Sequence, residues 1–336
     1  MSDRISALRQ ERGWSQTELA KRAGVTRQLV SALESGRHVP NVTAALGLAK
    51  ALSTTVEELF AAPANPPETI LGAPLATGTP VTTARVGEQL VALPAVRRQV
   101  ESWTSVDSVI EVGGVEQLPG RRPADLLIAG CDPLIGVLAE LASSSQHQIA
   151  TTHASTGQAI AALSAGRVHA VVVHARAGEL PEPSVDVMRW RLANWQVGLA
   201  AAGSAPSVEH LVDQRAVVVQ RDSGASSQQA LDRALEAAGG THLPGPVGSG
   251  HLDIAQQLSH GVGAAGVVME PAALAFDLSF TALEEHSVEL WLATEWLGLP
   301  AVNALLNTLQ SQALLAQTRL LPGYDIEPLG KTITIN

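Results

Sequence analysis

The sequence predicts a multidomain chain of α followed by α/β class: a five-helix head, a small β-rich module and a two-lobed α/β domain. Three observations in its 336 residues predict this. Residues 15–40, SQTELAKRAGVTRQLVSALESGRHVP, read as two short helices joined by a tight turn. Residues 61–69, AAPANPPET, form a Pro- and Ala-rich break that cannot continue a helix. From Asp125 onward, apolar strand, Gly/Ser loop and amphipathic helix alternate, which implies a parallel sheet flanked by helices. The expected domains are 1–62 for the head, 63–69 for a linker, 70–124 for the module and 125–336 for the α/β domain.

In the head, Ile5 and Leu8 mark the apolar face of a first helix. Ser15-x-x-Glu18 is a capping box that starts the second helix, and Gly24 supplies the positive φ of the turn. Thr26 caps a third helix with Leu29, Val30 and Leu33 inward, and Asn41 caps a fourth that runs to Leu52. Thr55-x-x-Glu58 opens a short fifth helix that ends near Phe60.

Residues 70–124 change to short Val/Ile/Leu runs broken by Gly and Pro, which read as strands. Beyond them, ADLLIAG, VHAVVVHA, QVGLAAA, AVVVQ, AAGVVM and VELWLAT are the apolar strands, and LPAVNALLNTLQSQALLAQT reads as one long helix. So many short strands over this length suit two lobes, with the chain crossing near 195–202 and returning near 269–274.

Hydrophobic residues make up 46% and charged ones 16%, a globular composition with ample core material. The net charge of −10 is unevenly spread: residues 1–62 carry +2 and the remainder −12. That distribution suits a chain that touches nucleic acid through its head alone, and opposes one that coats it. No apolar run reaches the length of a membrane span, so no membrane partner is expected. The single cysteine, Cys131, leaves no internal disulfide or cysteine-cluster zinc site and suits a reducing cytoplasm.

Ser15-Gln16-x-x-Leu19-Ala20, Gly24-Val25-Thr26, Val30, Leu33-Glu34-x-Gly36-Arg37 and Pro40 stand at the spacing of a known family. Residues 4–60 resemble the phage repressor and Cro-like, xenobiotic-response-element-type helix-turn-helix regulators. The resemblance implies a lambda-repressor-like head whose third helix enters the major groove by its first turn. Arg27 and Gln28 would then face base edges, Arg forking onto guanine and Gln onto adenine, with Ala32 on a thymine methyl and Ser31 beside them. Ser15, Gln16, Ser35, Arg37 and Asn41 would hold phosphates.

Gly130-Cys131-Asp132-Pro133, His169–His174, Arg221-Asp222-Ser223-Gly224-Ala225-Ser226, His260–Gly266 and Pro322-Gly323-Tyr324-Asp325 carry a second resemblance. Residues 125–325 are similar to periplasmic-binding-protein-like domains of type 2, molybdate-binding ones in particular. The family often has Gly-Ser-Gly-Thr-Arg where this chain has Asp222–Ser227, so an anion-holding Arg is missing at that place. The resemblance implies a cleft for a small ligand, an oxyanion such as molybdate or tungstate among the candidates.

Ligands of open α/β sheets sit at strand C-termini facing helix N-termini. Three such junctions supply the expected ligand set: Cys131 and Asp132; Ser155 and Thr156; Ser223, Gly224 and Ser226, with His174 at the end of an apolar strand. Asp132 reads either as a helix cap followed by Pro133 or as a ligand contact that would repel an anion. Cys131 at a helix N-terminus reads either as a low-pKa, redox-sensitive thiol or as a buried structural one. His169 and His174, at i and i+5 on a strand, point to opposite faces, so no metal site is expected from them. There is no Gly-x-Ser-x-Gly elbow, phosphate-binding loop, dinucleotide fingerprint or HExxH helix, so no enzyme and no cofactor are expected.

These readings converge on a cytoplasmic, nucleoid-associated transcription regulator or repressor. It would act as a homodimer on a palindromic site in double-stranded DNA, under a small-molecule effector. The alternative is a redox-responsive regulator that senses through Cys131, with the α/β region as a dimerisation scaffold.

Overall fold

The computed structural model describes residues 2–35, 38, 40–60, 67–95, 105–111, 114–204 and 206–333. The chain divides into two compact units, residues 1–66 with 111–114, and residues 67–110 with 115–336.

The head has five helices: α1 Ser2–Glu11, α2 Gln16–Ala23, α3 Arg27–Glu34, α4 Val42–Ala51 and α5 Val56–Phe60. Each cap is local chemistry. Ser15 Oγ accepts from the Glu18 amide at 3.1 Å, Thr26 Oγ1 from Leu29 at 3.1 Å and Asn41 Oδ1 from Ala44 at 2.9 Å. Such caps contribute about 1 kcal/mol each. Gly24 ends α2 at φ 68°, ψ 30°, a left-handed conformation that a side chain would strain. Ile5, Leu19, Val30, Leu33, Leu48, Leu52 and Leu59 fill the core between the helices.

The second unit begins with four strands, β1 Pro80–Val86, β2 Gln89–Pro94, β3 Ser108–Glu111 and β4 Gly114–Gln117, in the order β2-β1-β3-β4. The module is not separate from the α/β part of the chain. Arg85 N donates to Ala124 O at 3.1 Å, and Ala124 N donates to Thr83 O at 2.8 Å. Ile70, Val86, Val91 and Leu93 share one hydrophobic cluster with Leu127, Ala129, Val171 and Trp291. The boundary expected at 124/125 therefore runs through a single core.

The α/β part comprises β5 Leu126–Gly130, α6 Leu134–Ala142, β6 Ile149–His153, α7 Thr156–Ser164, β7 Ala170–Ala175 and β8 Val187–Ala201. Next come α8 Val208–Asp213, β9 Val218–Val219, α9 Ser226–Ala237, α10 His251–Ser259, β10 Ala265–Met269 and α11 Glu270–Ala275. The last elements are β11 Ser279–Ala293, α12 Pro300–Leu309, α13 Gln312–Thr318 and β12 Thr332–Ile333. The sheet order is β6-β5-β7-β11-β8-β10-β9, with β12 on β8.

β8 and β11, each 15 residues long, pair antiparallel from Val187↔Ala293 to Ala201↔Ser279. One half of this ribbon borders the parallel set β6-β5-β7 and the other half borders β10 and β9. These strands are the two lobe crossings. The first overlaps the expected 195–202. The return expected near 269–274 is corrected, because those residues end β10 and begin α11. The true return is β11, whose first half, Ser279–His286, carries Glu284 and Glu285 and so lacks the apolar run that marks a buried strand. The long C-terminal helix is also two helices. It breaks at Gln310, and Ser311 Oγ caps the second by accepting from Leu314 N at 3.1 Å. Among the described residues no helix is long and apolar enough to cross a membrane.

Candidate DNA-reading face and buried cleft site

On the head, the N-terminal turn of α3 presents Arg27 and Gln28, both exposed. They line one surface recess with Ser31 and Ala32, so the four expected base-reading residues share a face. Behind it, Glu34 holds three donors. Arg9 reaches it through Nε at 2.6 Å and a second nitrogen at 3.1 Å, and Gln16 Nε2 donates to it at 2.8 Å. Burial pushes the Glu34 carboxyl up, yet the hydrogen bonds from Arg9 and Gln16 outweigh it and hold the group below the usual range. This cluster ties α1, α2 and α3 together and commits one amide hydrogen of Gln16, expected on phosphate, inside the head. Ser15 Oγ and Asn41 Oδ1 serve as helix caps, and Ser35 Oγ donates to Ala32 O at 3.1 Å. Arg37 lies outside the described residues.

In the second unit, the cleft is built where β5, β7, β8, β10 and β11 end or bend. Asp132 is 1% exposed and accepts three hydrogen bonds: Leu134 N at 2.8 Å, Tyr324 Oη at 2.8 Å and Trp195 Nε1 at 2.9 Å. Burial raises its pKa against those three donors. The carboxylate accepts from the first amide of α6 and anchors two aromatic side chains. Cys131 Sγ lies 3.0 Å from His174 Nε2. Burial pushes the thiol up to about 11, although Arg221 pulls the other way. Of the two readings open for this thiol, burial favours the structural one, because desolvation outweighs the helix end.

Three buried histidines stand beside the thiol, far apart in sequence. His174 Nδ1 meets His286 Nδ1 at 2.8 Å, His286 Nε2 meets Glu284 Oε1 at 2.7 Å, and His251 Nδ1 accepts from Met269 N at 3.1 Å. Burial holds all three rings below the usual histidine pKa. These contacts set the neutral tautomers. His286 donates from Nε2 to the carboxylate and accepts at Nδ1. His174 donates from Nδ1 and presents a bare Nε2 to the thiol. His251 must carry its proton on Nε2, 3.5 Å from His174 Nε2. Cys131, His174 and His251 bring their ligand atoms within 4.8 Å of one another. As a metal site this set is poor, since metal-binding histidines donate from their other nitrogen, whereas the His251 Nδ1 accepts.

The deciding residue is Arg221. It is 2% exposed, and none of its three guanidinium nitrogens reaches an oxygen or nitrogen acceptor among the described residues; the Cys131 sulfur is the side-chain acceptor within its reach. Its charge acts on Cys131, His174 and His251. The beginning of α10 and the end of β5 line an adjoining cavity of about 200 Å³ that includes Cys131, Asp132, His153 and His251. Asp132 and Asp253 also line that cavity, and the Arg221 charge acts on Asp253, so the buried guanidinium is the positive group set against these two acids.

The other expected ligand residues are employed differently. Ser155 Oγ donates to Asp222 Oδ1 at 2.8 Å, and Gly157 N donates to Gly224 O at 3.0 Å, so the α7 and α9 junctions hold each other. Thr156 Oγ1 donates to His174 O at 3.1 Å. Ser223 is exposed, and Ser226 is buried in the first turn of α9.

A PBP superfamily domain profile matches residues 138–310, more than half of the chain. The chain belongs to the PBP superfamily. A helix-turn-helix profile matches residues 5–59, so a DNA-binding head of regulator type is fused to the PBP domain. The head is 42% identical over 60 residues to the uncharacterised HTH-type transcriptional regulator YgzD of Bacillus subtilis, covering 18% of this chain and 91% of that one. It is 47% identical over 57 residues to another such regulator from Methanothermobacter thermautotrophicus, covering 17% and 83%. The PBP domain is similar to an ABC-type phosphate transport receptor from Vibrio cholerae at 11% identity, with a TM-score of 0.42, over 60% of this chain and 99% of that one.

Sequence reasoning missed most of the cleft of the PBP domain. Arg221, His251, His286, Trp195 and Tyr324 were not singled out as site residues. No Arg stands within Asp222–Ser227, and Arg221 precedes that stretch by one residue, at the end of the AVVVQ run. That placement was a readable signal, because a lone Arg ending an apolar strand faces a strand–helix junction.

Proposed function

We propose that this helix-turn-helix PBP-domain protein is a non-enzymatic transcription regulator, acting in the cytoplasm at the nucleoid, whose operator binding is set by a small anion in the cleft. Arg221 carries the reading. A buried, unmatched guanidinium costs several kcal/mol, and an anion with several acceptor oxygens offsets that cost. His251 Nε2–H, which faces His174 Nε2 at a long 3.5 Å, is a further donor beside it. Molybdate, tungstate and small carboxylates all fit this donor chemistry. The head reads DNA through Arg27, Gln28, Ser31 and Ala32, with Ser15, Gln16, Ser35, Arg37 and Asn41 at the phosphates. Two heads in a homodimer reading a palindromic site give useful affinity from short half-sites. Effector binding favours one arrangement of the lobes and so biases the pairing of heads, and a coupling of about 1–3 kcal/mol changes DNA affinity 5- to 150-fold.

The test is calorimetric titration of molybdate, tungstate, sulfate, phosphate and small carboxylates, followed by gel-shift of operator DNA with and without the binder. The expected result is binding that Arg221→Gln abolishes and that alters operator affinity. No binding by any of these anions would sink the anionic specification.

A further inference from the structure

A second cavity, of about 570 Å³, lies away from the cleft where the β1–β2 hairpin meets the first lobe and the start of α12. Its polar lining is Arg85, Arg122, Asp125, Gln146, His147, His169 and Trp296, in which donors outnumber acceptors. His169 is 1% exposed; its Nδ1 accepts from Leu127 N at 3.0 Å, so the neutral ring carries its proton on Nε2, which has no acceptor among the described residues. Burial pushes this histidine down to about 4, so the ring stays a neutral donor at ordinary pH. The Trp296 indole packs edge-on to it at 5.2 Å, and its buried Nε1–H also lacks a partner among the described residues. α12 opens against the cavity with no side-chain cap and no acid in its first turn, leaving the positive end of a ten-residue helix unneutralised by side chains.

The charges agree. The one carboxylate in the lining, Asp125, is gripped by Arg122 at 2.7 Å to each oxygen. That leaves Arg85, which has no ion-pair partner among the described residues, as the unmatched cation. The hairpin brings it there. The turn Gly87–Glu88 is the two-residue kind, with Gly87 at φ +57°, and a Cβ on Gly87 would stand 3.2 Å from the Trp296 ring. The remaining wall is Gln146 and His147 together with the apolar Pro123, Leu299, Pro300 and Ala301.

From this geometry we infer a second ligand site, formed jointly by the β-module and the first lobe, that takes an organic monoanion: a carboxylate head toward Arg85 and His169 with an apolar body over Trp296 and Leu299. The volume falls within the range of small-molecule pockets and exceeds what an inorganic oxyanion needs. The role given to the module is to complete this site, and the site is independent of the anion proposed for the cleft.

The experiment titrates the full-length protein with benzoate and indole-3-acetate, using benzamide and indole-3-acetamide as uncharged counterparts. The carboxylates are expected to bind at least ten-fold more tightly than the amides. Arg85→Gln, at an exposed position, is expected to weaken them about ten-fold and Arg85→Lys to restore most of the loss. Absence of carboxylate binding, equal binding of the amides, or carboxylate binding unchanged in Arg85→Gln would each overturn the site.

Discussion

His174 Nδ1 meets His286 Nδ1 at 2.8 Å, and through this contact a residue at the cleft end of β7 is bonded to the crossing strand β11. The chain continues through Glu284 to Arg233 on α9, which also pairs with Glu179 at 3.4 Å after β7. Both rings must stay neutral for every proton in this chain to be matched. Their folded pKa values lie below the unfolded one, as does that of His169, at about 4. The stability they contribute is present above pH about 6.5 and is lost as pH falls toward the folded values. Urea unfolding is therefore expected to weaken steadily from pH 7 to pH 4.5. His169→Gln, which keeps an acceptor for Leu127 N, removes up to about 3 kcal/mol of that dependence. A pH profile identical to that of the unaltered protein would reject this assignment.

Ser155→Ala removes the hydrogen bond to Asp222 that joins the α7 and α9 junctions. A part-buried hydrogen bond to a carboxylate contributes about 1.5–3 kcal/mol. The contact between the two junctions loses that support, so affinity for the proposed cleft anion is expected to fall at least five-fold, with α-helical content unchanged. Titration calorimetry checks the first expectation and circular dichroism the second. Unaltered affinity would mean that this contact plays no part in closure.

The range of the chemistry decides what was legible in the sequence. Ser15, Thr26, Asn41 and Gly24 act on amides within four residues, so their roles are written locally. The cleft is different. Cys131 meets His174 across 43 positions, His174 meets His286 across 112, and Tyr324 meets Asp132 across 192. No local pattern marks such partners. Asp132 bonds the Leu134 amide two residues on, which is local, but the same carboxylate reaches Trp195 and Tyr324, which is not. The crossing strand β11 was obscured because residues such as Glu284 and Glu285 obey pairing demands on a ribbon between lobes, not burial on both faces.

Arg9→Ala tests the cluster behind the DNA-reading face. Arg9 and Glu34 are 13% and 9% exposed at their side chains, so removing the cation leaves a largely buried carboxylate with Gln16 as its remaining side-chain donor. Breaking one partner of such a pair costs about 3 kcal/mol. Thermal unfolding of the head is expected to move down by several degrees, while Arg22→Ala, whose pair with Glu18 at 2.8 Å is exposed on both sides, loses less. Equal losses in the two variants would remove the ion pair as the cause.

Arg27→Ala combined with Gln28→Ala separates reading from folding. Both side chains are exposed at the start of α3 and neither supplies its cap, which comes from Thr26. The head core beneath is built from Leu19, Val30 and Leu33, so thermal unfolding is expected to shift little. Each bidentate base contact is worth about 1–3 kcal/mol, so losing both weakens operator binding by two orders of magnitude or more. Non-specific binding, which rests on phosphate contacts, falls only by the one charge removed. Fluorescence anisotropy against operator and random duplexes at two salt concentrations measures both. If operator affinity survives the double substitution, the first turn of α3 is not the reading element, and the face formed by Arg27, Gln28, Ser31 and Ala32 must be assigned another role.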